Sequence, residues 1–384
     1  MGAGPKIHTD NLLFGFDTGK TSVDDNSFNY SKYLGEPTVN HITNPGTSNT
    51  GWTGHGWTGG QVISTDYPNT YEFTATNGWH NRTFDTGVTS GGTVQVTFEY
   101  KLKQWQTTQT QIFVLNGTHL GSYTNYIGNG AMSFEWQTFN GTFTANSDSK
   151  IAIGPRGSDS SGLTDIVYIR NLQVETKSHR TPFVDGSRTS TNSLIDLKGN
   201  TGIDVSNISF DTSGQPTFDG TDDYLQPFDL NLEAMEASTL EAIIYMDDLS
   251  GSHNSYSIFG GVATGNRHGY HEIRNSGSGW KMTYWTSSNG WRYANTALSA
   301  GQYYHVVWVW KDLKCCWYVN GEDDGYYNFT TFSPYSLGAK TIGYFPNERY
   351  MDGHIPIARV YNKALTESEI SSNYKAYKNR FNLS

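Results

Sequence analysis

Apolar and polar residues alternate with a period of two along most of the chain, which is the pattern of β-strands with one buried face. The clearest run places Val94, Val96, Phe98 and Tyr100 on one face and Gln95, Thr97 and Glu99 on the other. Similar runs follow at 111–115, 133–143, 151–153 and 166–174, with Asn-Gly and Gly-Asn-Gly turns between them. Short strands at this spacing predict an antiparallel β-sandwich between residues 71 and 175.

The second half of the chain carries further strand patterns. Residues 239–246 and 304–310 predict strands, and the second of these has no polar face apart from His305. We therefore expect 304–310 to be a central strand covered on both sides. Residues 280–285 and 291–294 predict a hairpin, because the intervening Asn289-Gly290 favours a type I′ turn.

One helix is predicted near the end of the chain. Thr366 and Glu369 have the spacing of a capping box, and Leu365 and Ile370 stand at the positions of a hydrophobic staple. The apolar stripe that follows consists of Ile370, Tyr374, Tyr377 and Phe381. A helix with one such stripe is expected to pack against a sheet.

A strand precedes this helix. Its alternation predicts Ile355, Ile357 and Tyr361 on one face, and Ala358 and Val360 on the other. Pro356 has no backbone N–H to donate. Its strand is therefore expected at a sheet edge, or with the amide of Pro356 facing outward.

Three segments resemble a known family. Gly353 to Ile370 reads Gly-x-Ile-x-x-x-x-Val-Tyr-Asn-Lys-Ala-Leu-Thr-x-x-Glu-Ile and resembles the closing strand and helix of laminin G-like, or concanavalin A-like, jelly rolls. Phe218 to Leu225 resembles the early strand of that family, and Trp317 to Glu322 resembles its later hairpin. The resemblance implies an all-β chain of two antiparallel β-sandwich (jelly-roll) domains with one short C-terminal α-helix.

The sequences flanking the C-terminal domain are similar to structural proteins of tailed bacteriophages, especially marine ones. The similar segments are 173–184 and 373–381. In such proteins a strand like 11–19 opens the jelly roll and leads quickly to a segment like 194–200, whereas about 170 residues intervene here. The resemblance implies an inserted domain, with the first strand returning to the C-terminal sheet. The alternative, a first strand that belongs to the first domain, stays open.

These considerations predict four regions. Residues 1–48 form an N-terminal arm whose first strand (9–20) pairs with the C-terminal domain. Residues 49–176 form a β-sandwich that resembles carbohydrate-binding modules, on its overall layout and its closing strand at 169–175. Residues 177–191 are a linker, and 192–384 are the laminin G-like jelly roll.

Net charge and composition disfavour several classes of function and partner. The net charge is −10 and only 16% of residues are charged, which disfavours a nucleic-acid partner because phosphate binding requires clustered Lys and Arg. No run of ~18 apolar residues occurs, so we expect no membrane span, and the N-terminal residues 1–6 show no apolar h-region, so we expect no cleaved signal. Cys315 and Cys316 are adjacent, and two unpaired thiols are typical of a chain made and assembled in a reducing cytoplasm.

Enzyme signatures are weak. The close carboxylates are Glu322, Asp323 and Asp324 in a turn, Glu367 and Glu369 at the helix start, and Glu233 and Glu236 in a connector. None has the strand placement of a glycosidase pair, although a pair from distant strands stays open. His268 and His271 lack the spacing of a zinc site, and turn chemistry explains the doublets Asp222-Asp223 and Asp323-Asp324 without calcium. We predict no catalytic residue, metal or cofactor.

The aromatic content, 14% of the residues, indicates binding surfaces. An aromatic ring can take the C–H face of a sugar while neighbouring polar side chains bond its hydroxyls. Two candidate clusters have this composition: Trp285, Asn289, Trp291 and Arg292 in the C-terminal domain, and Trp79, His80, Asn81 and Arg82 in the inserted domain. The alternative for both clusters is core or interface packing.

These patterns and resemblances together predict a non-enzymatic phage virion structural protein, exposed on the particle surface and assembled in the host cytoplasm. It would be a capsid decoration, head fibre or tail-associated subunit, present as a homo-oligomer or in many copies. Its partners would be other virion proteins and host or environmental polysaccharide, with no nucleic acid or membrane. The alternative is a carbohydrate-active enzyme, such as a tail depolymerase, or its binding module.

Overall fold

The structure of the 384-residue chain is a computed structural model. It describes residues 7–18, 32–33, 36–42, 52–55, 60–75, 77–106, 110–116, 125–127, 131–145, 147, 150–158, 163–190, 193–197, 202–211, 213–227, 237–250, 254–260, 271–286, 290–329, 341–345 and 349–384.

The described elements are β-strands followed by one α-helix. The first are β1 (Leu12–Asp17) and β2 (Lys32–Tyr33). Then come β3 (Thr38–Val39), β4 (Trp52–His55), β5 (Gly60–Ile63), β6 (Thr70–Ala75), β7 (Asn77–Asp85), β8 (Thr93–Gln104), β9 (Gln111–Asn116), β10 (Asn125–Ile127), β11 (Gln137–Thr144), β12 (Lys150–Ser158), β13 (Asp165–Glu175) and β14 (Ser187–Arg188). The last are β15 (Leu194–Ile195), β16 (Gly202–Asp204), β17 (Ser209–Phe210), β18 (Pro216–Asp219), β19 (Gln226–Pro227), β20 (Ala237–Met246), β21 (Ser255–Gly260), β22 (His271–Asn275), β23 (Trp280–Thr286), β24 (Gly290–Tyr293), β25 (Tyr303–Lys311), β26 (Lys314–Val319), β27 (Glu322–Asn328), β28 (Thr341–Ile342), β29 (Tyr344–Phe345), β30 (Arg349–Tyr350), β31 (Asp352–Tyr361) and α1 (Glu367–Phe381).

The predicted fold class is confirmed, since the chain is mostly antiparallel β-structure with a short C-terminal helix. It divides into two compact units, one made of residues 1–36 and 189–384 and the other of residues 37–188. The second unit extends beyond the sequence-based bounds of 49–176 at both ends. The reason is that β3 pairs with β14, which joins the two ends of the unit.

The 37–188 unit contains two five-stranded antiparallel sheets. Their strand orders are β10-β9-β12-β7-β4 and β11-β8-β13-β6-β5. The alternating run Val94, Val96 and Phe98 is fully buried and belongs to one core that draws side chains from both sheets. The period-two pattern therefore predicted these core residues because each strand buries one face.

The C-terminal unit is built on an eight-stranded sheet. Strands β17-β18-β31-β20-β25-β26-β27 follow one another in it, and β1 pairs antiparallel with β31. A five-stranded sheet, β24-β23-β22-β21-β28, shares the main core with it. As predicted, β25 is a central strand: Trp308 is buried in this core and Val307 is buried in a separate cluster on the opposite side.

The face of Ile355 differs from the prediction. Ile355 lies in the main core together with Ala358 and Val360, whereas Ile357 packs with the helix. The register shifts here, because Ile243 pairs with Ile357 while Tyr245 pairs with His354. This β-bulge accommodates Pro356 inside a sheet without requiring it to donate a ladder hydrogen bond.

Helix α1 begins and packs as its sequence predicts. The side chain of Thr366 accepts from the backbone N–H of Glu369, and the Glu369 carboxylate accepts in return from the Thr366 N–H at 2.9 Å. The predicted stripe of Ile370, Tyr374, Tyr377 and Phe381 is buried. The helix covers the face of the eight-stranded sheet that points away from the main core.

A buried polar network lies between the helix and this sheet. Glu241 is fully buried, and its carboxylate accepts from Nε2 of His305 at 2.7 Å, from the Tyr361 hydroxyl at 2.8 Å and from Nδ2 of Asn373 at 3.1 Å. The guanidinium of Arg359 lies 3.8 Å away. Burial by itself raises the pKa of Glu241, but His305, Arg359 and Tyr361 together outweigh it and hold the pKa below the ordinary value.

Asp17 extends this network to the first strand. Its carboxylate lies 3.8 Å from the guanidinium of Arg359 and 2.8 Å from that of Arg380 on the helix. The network therefore joins β1, the centre of the sheet and α1, three segments that are far apart in sequence.

We expect Glu241→Gln to lower the free energy of unfolding at pH 7 by about 3 kcal/mol, since it removes one partner of a buried charge network. The pKa of Glu241 is lower in the folded state than in the unfolded state. Its contribution is therefore present above the unfolded pKa of about 4.3 and is lost as the pH falls through the folded pKa. Urea unfolding at pH 7 and pH 3 measures both effects.

The matched control is Glu322→Gln, which removes the same charge from an exposed position on β27. It should leave stability within about 0.5 kcal/mol of the wild type. A Glu241→Gln protein as stable as the wild type at pH 7 would show that the network contributes nothing.

Candidate functional site

The candidate site lies on the outer face of the five-stranded sheet in the C-terminal unit. On β22 and β23 the side chains of Ile273, Met282 and Tyr284 belong to the main core. Because successive strand residues point to opposite faces, Arg274 and Trp285 point outward. Among the described residues no helix covers this face, whereas the outer face of the eight-stranded sheet is covered by α1.

Two tryptophans form the centre of the site. Trp285 on β23 and Trp291 on β24 are directly opposite each other in the antiparallel register. Their ring centroids are 6.3 Å apart with an interplanar angle of 51°, and both residues are half-buried. Directly opposed residues on neighbouring strands share a face, so the two rings lie side by side on it, tilted relative to each other.

Two arginines lie over the Trp291 ring. The guanidinium of Arg274 is 4.2 Å from the Trp291 ring centroid, and that of Arg349 is 5.5 Å from it. Arg349 belongs to the β29–β30 hairpin. The carbonyl oxygen of Tyr344 in this hairpin would lie only 1.6 Å from a Cβ at Gly260 of β21. A glycine at this position therefore lets the hairpin rest on the sheet and bring Arg349 to the tryptophans.

Glu272 holds Arg349 in place. Its side chain is fully buried, and Oε1 accepts from Nη1 of Arg349 at 2.7 Å. Burial raises the pKa of Glu272, and the opposing effects of Arg349, Arg274 and Ser255 offset only part of that shift. Arg349 therefore favours the charged form of this buried carboxylate.

The sequence-based cluster is only partly reproduced. Trp285 and Trp291 do share a face, and Asn289 lies outside the described residues. Arg292 is a correction: it follows Trp291 on β24 and points to the other side, where its guanidinium is 4.5 Å from the Tyr327 ring centroid. Strand alternation is the physical reason, since neighbours on one strand cannot both face the ligand.

Sequence reasoning did not find Glu272, Arg274 and Arg349. The outward position of Arg274 could have been inferred from the alternation around Ile273. Its proximity to Trp291 could not, because that depends on the pairing of β22, β23 and β24. Arg349 reaches the site through a separate hairpin, and no local pattern indicates where that hairpin packs.

The other predicted cluster, on β7, is positioned differently. Nε2 of His80 is 3.1 Å from Oε1 of Gln61, and Nη1 of Arg82 donates to the hydroxyl of the buried Tyr71 at 3.1 Å. Both side chains therefore interact with the facing sheet of the 37–188 unit, which corresponds to the packing alternative. The backbone positions of Trp79 and Asn81 are described within β7, but their side chains lie outside the described part.

A different aromatic cluster occurs in the 37–188 unit. Arg170 stacks on Trp136 with its guanidinium 3.7 Å from the ring centroid. Nζ of Lys101 donates to the Tyr67 hydroxyl at 2.7 Å and lies 5.8 Å from the Tyr168 ring centroid. Tyr168 is buried and its hydroxyl donates to Asp66, so we assign this cluster to packing.

The acidic residues around the first doublet form hydrogen bonds within a turn. Oδ1 of Asp219 accepts from the backbone N–H groups of Thr221 and Asp222 at 2.8 and 3.2 Å. The carboxylates of Asp219, Asp222 and Asp223 lie within 4.8 Å of one another, and burial together with this repulsion raises the pKa of Asp223 to about 6. This is the one group among the described residues with the spacing of a metal site, and its turn hydrogen bonds account for the arrangement without a metal.

The remaining doublet and histidine pair also have structural partners. Asp324 accepts from the backbone N–H and the hydroxyl of Thr296 at 3.0 and 2.6 Å. Nε2 of His271 is buried and accepts from Nε1 of Trp310 at 3.2 Å, while His268 lies outside the described residues. Across the described segments, we find no helix with the length and apolar character needed to cross a membrane.

Comparison with protein families supports the fold resemblance. Residues 218–371, less than half of the chain, match the family described as the Concanavalin A-like lectin/glucanases superfamily. The C-terminal unit is therefore a concanavalin A-like, lectin-like β-sandwich. Among curated proteins, no sequence matches this chain.

Several solved structures are similar to this chain at low identity. Domain 4 of the extracellular arabinanase AbnA from Geobacillus stearothermophilus, in complex with arabinotriose, is 19% identical with a TM-score of 0.35, covering 47% of this chain and 91% of that domain. A SAP-like pentraxin from Limulus polyphemus is 20% identical with a TM-score of 0.33, covering 40% of this chain and 78% of that one. The botulinum neurotoxin serotype D binding domain is 19% identical with a TM-score of 0.37, covering 48% of each chain. At these values the likenesses carry no inference about what this protein binds.

We expect Arg349→Ala to destabilise the C-terminal unit by about 3 kcal/mol at pH 7, because it leaves the buried Glu272 carboxylate without its partner. Loss of the arginine would raise the pKa of Glu272 further. The loss of stability should therefore shrink as the pH falls below that pKa and the carboxylate becomes neutral.

A double-mutant cycle with Glu272→Gln separates this effect from lost packing. Adding Glu272→Gln to Arg349→Ala should restore most of the stability at pH 7, since a neutral amide replaces the unpaired charge. Equal losses in the single Arg349→Ala variant and in the double variant would mean that the ion pair is not what orients the hairpin.

Proposed function

We propose that this protein binds glycans through the outer face of its C-terminal β-sandwich and does not cleave them. The observation that carries the proposal is the Trp285–Trp291 pair with two guanidinium groups over the Trp291 ring. A sugar ring presents a flat C–H face that packs on an aromatic surface, and its hydroxyls need hydrogen-bond donors at the edge. This face supplies both.

The side chains have separable roles in this proposal. Trp285 and Trp291 contact the sugar ring, and Arg274 and Arg349 donate hydrogen bonds to its oxygens. Glu272 acts as a positioning residue, because its buried carboxylate fixes the guanidinium of Arg349. A surface with a preorganised arginine loses less side-chain entropy on binding than one with a free arginine.

A site on an open sheet face suits weak binding, with dissociation constants on the order of millimolar for one site. Many copies on one particle would raise the overall affinity by 10²–10⁴ through multivalency, as a rough range for linked sites. Weak individual contacts would then suffice for adhesion to a polysaccharide surface.

We further propose that the protein is a structural component of a tailed-phage virion, assembled in the host cytoplasm and exposed on the particle surface. The support is the similarity of residues 173–184 and 373–381 to such proteins. In this role the chain is a capsid decoration, a head fibre or a tail-associated subunit, present as a homo-oligomer or in many copies. Its partners are capsid or tail proteins and host or environmental polysaccharide.

The competing function is a carbohydrate-active enzyme, such as a tail depolymerase, or its binding module. The matched family includes glucanases as well as lectins, which is the observation in its favour. Hydrolysis of a glycosidic bond normally uses two carboxyl groups. Glu272, the carboxylate described beside the tryptophans, is buried and paired with Arg349. Release of reducing ends from a bound polysaccharide would establish the enzyme.

We expect Trp291→Ala to weaken glycan binding at least tenfold, a loss of about 1.4 kcal/mol, because it removes half of the aromatic surface. A glycan array followed by calorimetry with the strongest binder measures this. The matched control is Tyr326→Ala, an aromatic residue of the same unit that is 57% exposed and lies on β27. Equal binding by the wild type and both variants would rule out this face as the site.

The virion role has an independent test. Mass spectrometry of purified particles from a phage that encodes this chain should detect it as a stoichiometric component, and antibodies against residues 290–329 should label the intact particle. Its absence from particles, with the protein found free in lysates, would contradict the virion role but not glycan binding.

A further inference from the structure

The outer face of the five-stranded sheet carries more positive than negative charge. Arg274 and Lys281 are directly opposite each other on β22 and β23, and Arg349 enters from the hairpin. Glu272, a buried carboxylate on β22, is paired with Arg349 and is also influenced by the charge of Arg274. The net charge of the chain is −10, so a group of cations on one face is a local departure from the overall charge.

The Arg274–Lys281 pair is unfavourable on its own. Like charges directly opposite each other across two strands repel and destabilise the sheet. Among the described residues, no carboxylate lies within 4 Å of either cation, and the close neighbour of Arg274 is the ring of Trp291 at 4.2 Å. An anion bound between the two cations would turn the repulsion into attraction on both sides.

We infer that the ligand of this face is an acidic polysaccharide, one that carries carboxylate or sulfate groups on its sugar rings. This inference rests on the proposed glycan binding and specifies its chemistry. The rings of Trp285 and Trp291 take the sugar, and the anionic substituent lies against Arg274 and Lys281. The planar guanidinium of Arg274 can donate two parallel hydrogen bonds to a carboxylate or sulfate, and Lys281 adds a point charge.

The site distinguishes acidic from neutral sugars by charge and not by shape. Arg349 does not contribute to this discrimination, because its charge is already matched by Glu272. Binding should therefore weaken several-fold when salt is raised from 50 to 300 mM, since partly exposed charges are screened over about 8–10 Å. A purely aromatic site would not respond in this way.

The test uses the full chain and two matched pairs of probes. Alginate oligosaccharides are compared with their carboxyl-reduced forms, and dextran sulfate with dextran, by calorimetry at both salt concentrations. We expect each acidic probe that binds to bind at least tenfold more tightly than its neutral counterpart. The alginate pair reports on carboxylate recognition, and the dextran pair reports on sulfate recognition.

Charge variants assign the preference to this face. Lys281→Gln should reduce the acidic-to-neutral preference at least threefold while binding of the neutral probe stays unchanged. Arg274→Gln should weaken binding of both probes, and binding of the acidic probe should fall at least threefold more than binding of the neutral probe. Lys281→Gln should also raise the melting temperature of the unliganded protein, because it removes the cross-strand repulsion. Lys314→Gln is the matched control: it removes the same charge from β26 of the same unit, where Lys314 lies over Tyr326.

The outcomes separate the inference from the function on which it rests. Equal affinity for acidic and neutral probes, or a preference that survives both charge variants, overturns the acidic ligand and leaves glycan binding standing. Binding that is unchanged in Trp291→Ala, or no binding to any probe, overturns glycan binding at this face and the inference with it.

Discussion

The eight-stranded sheet of the C-terminal unit is buried on both faces, and this constraint decides where a ligand can bind. One face shares the main core with the five-stranded sheet, and the other is covered by α1. A sheet covered in this way has long apolar strands, as β25 shows, and its exposed positions are confined to strands such as β27 at the edge. Among the described residues, the broader face that α1 and the main core leave uncovered is the outer side of the five-stranded sheet.

Helix α1, which covers one face of the eight-stranded sheet, is held in place by a buried polar network as well as by apolar packing. Glu241 sits at its centre and bonds to the sheet through His305 and to the helix through Asn373. Removal of one member of such a network is destabilising, because it leaves an unpaired buried charge. The position of α1 is therefore specific, and the helix cannot slide along the sheet without breaking these bonds.

The outer face of the five-stranded sheet also contains a buried carboxylate that orients neighbouring side chains. Glu272 is buried beneath the β29–β30 hairpin and orients Arg349, as Glu241 orients the groups around it. The difference is that Arg349 is one-fifth exposed and lies near the tryptophans, at the surface of the unit. A buried carboxylate that fixes a surface arginine gives a preorganised binding face at little conformational cost.

The sequence by itself determined the local features: the alternating strands, the capping box at Thr366, the buried stripe of α1 and the doubly covered β25. These follow from periodicity and from contacts within a few residues of each other, which is why they could be predicted. It also indicated Trp285 and Trp291, because a two-stranded hairpin sets its own register.

Only the tertiary structure decided the rest. Non-adjacent strands bring Arg274 to Trp291, a separate hairpin brings Arg349, and the bulge at Pro356 moves Ile355 to the other face. These placements depend on which strands pair and on where the register shifts. Alternation along one strand gives two equivalent faces, and only packing against the rest of the chain selects which face is buried and which can meet a ligand.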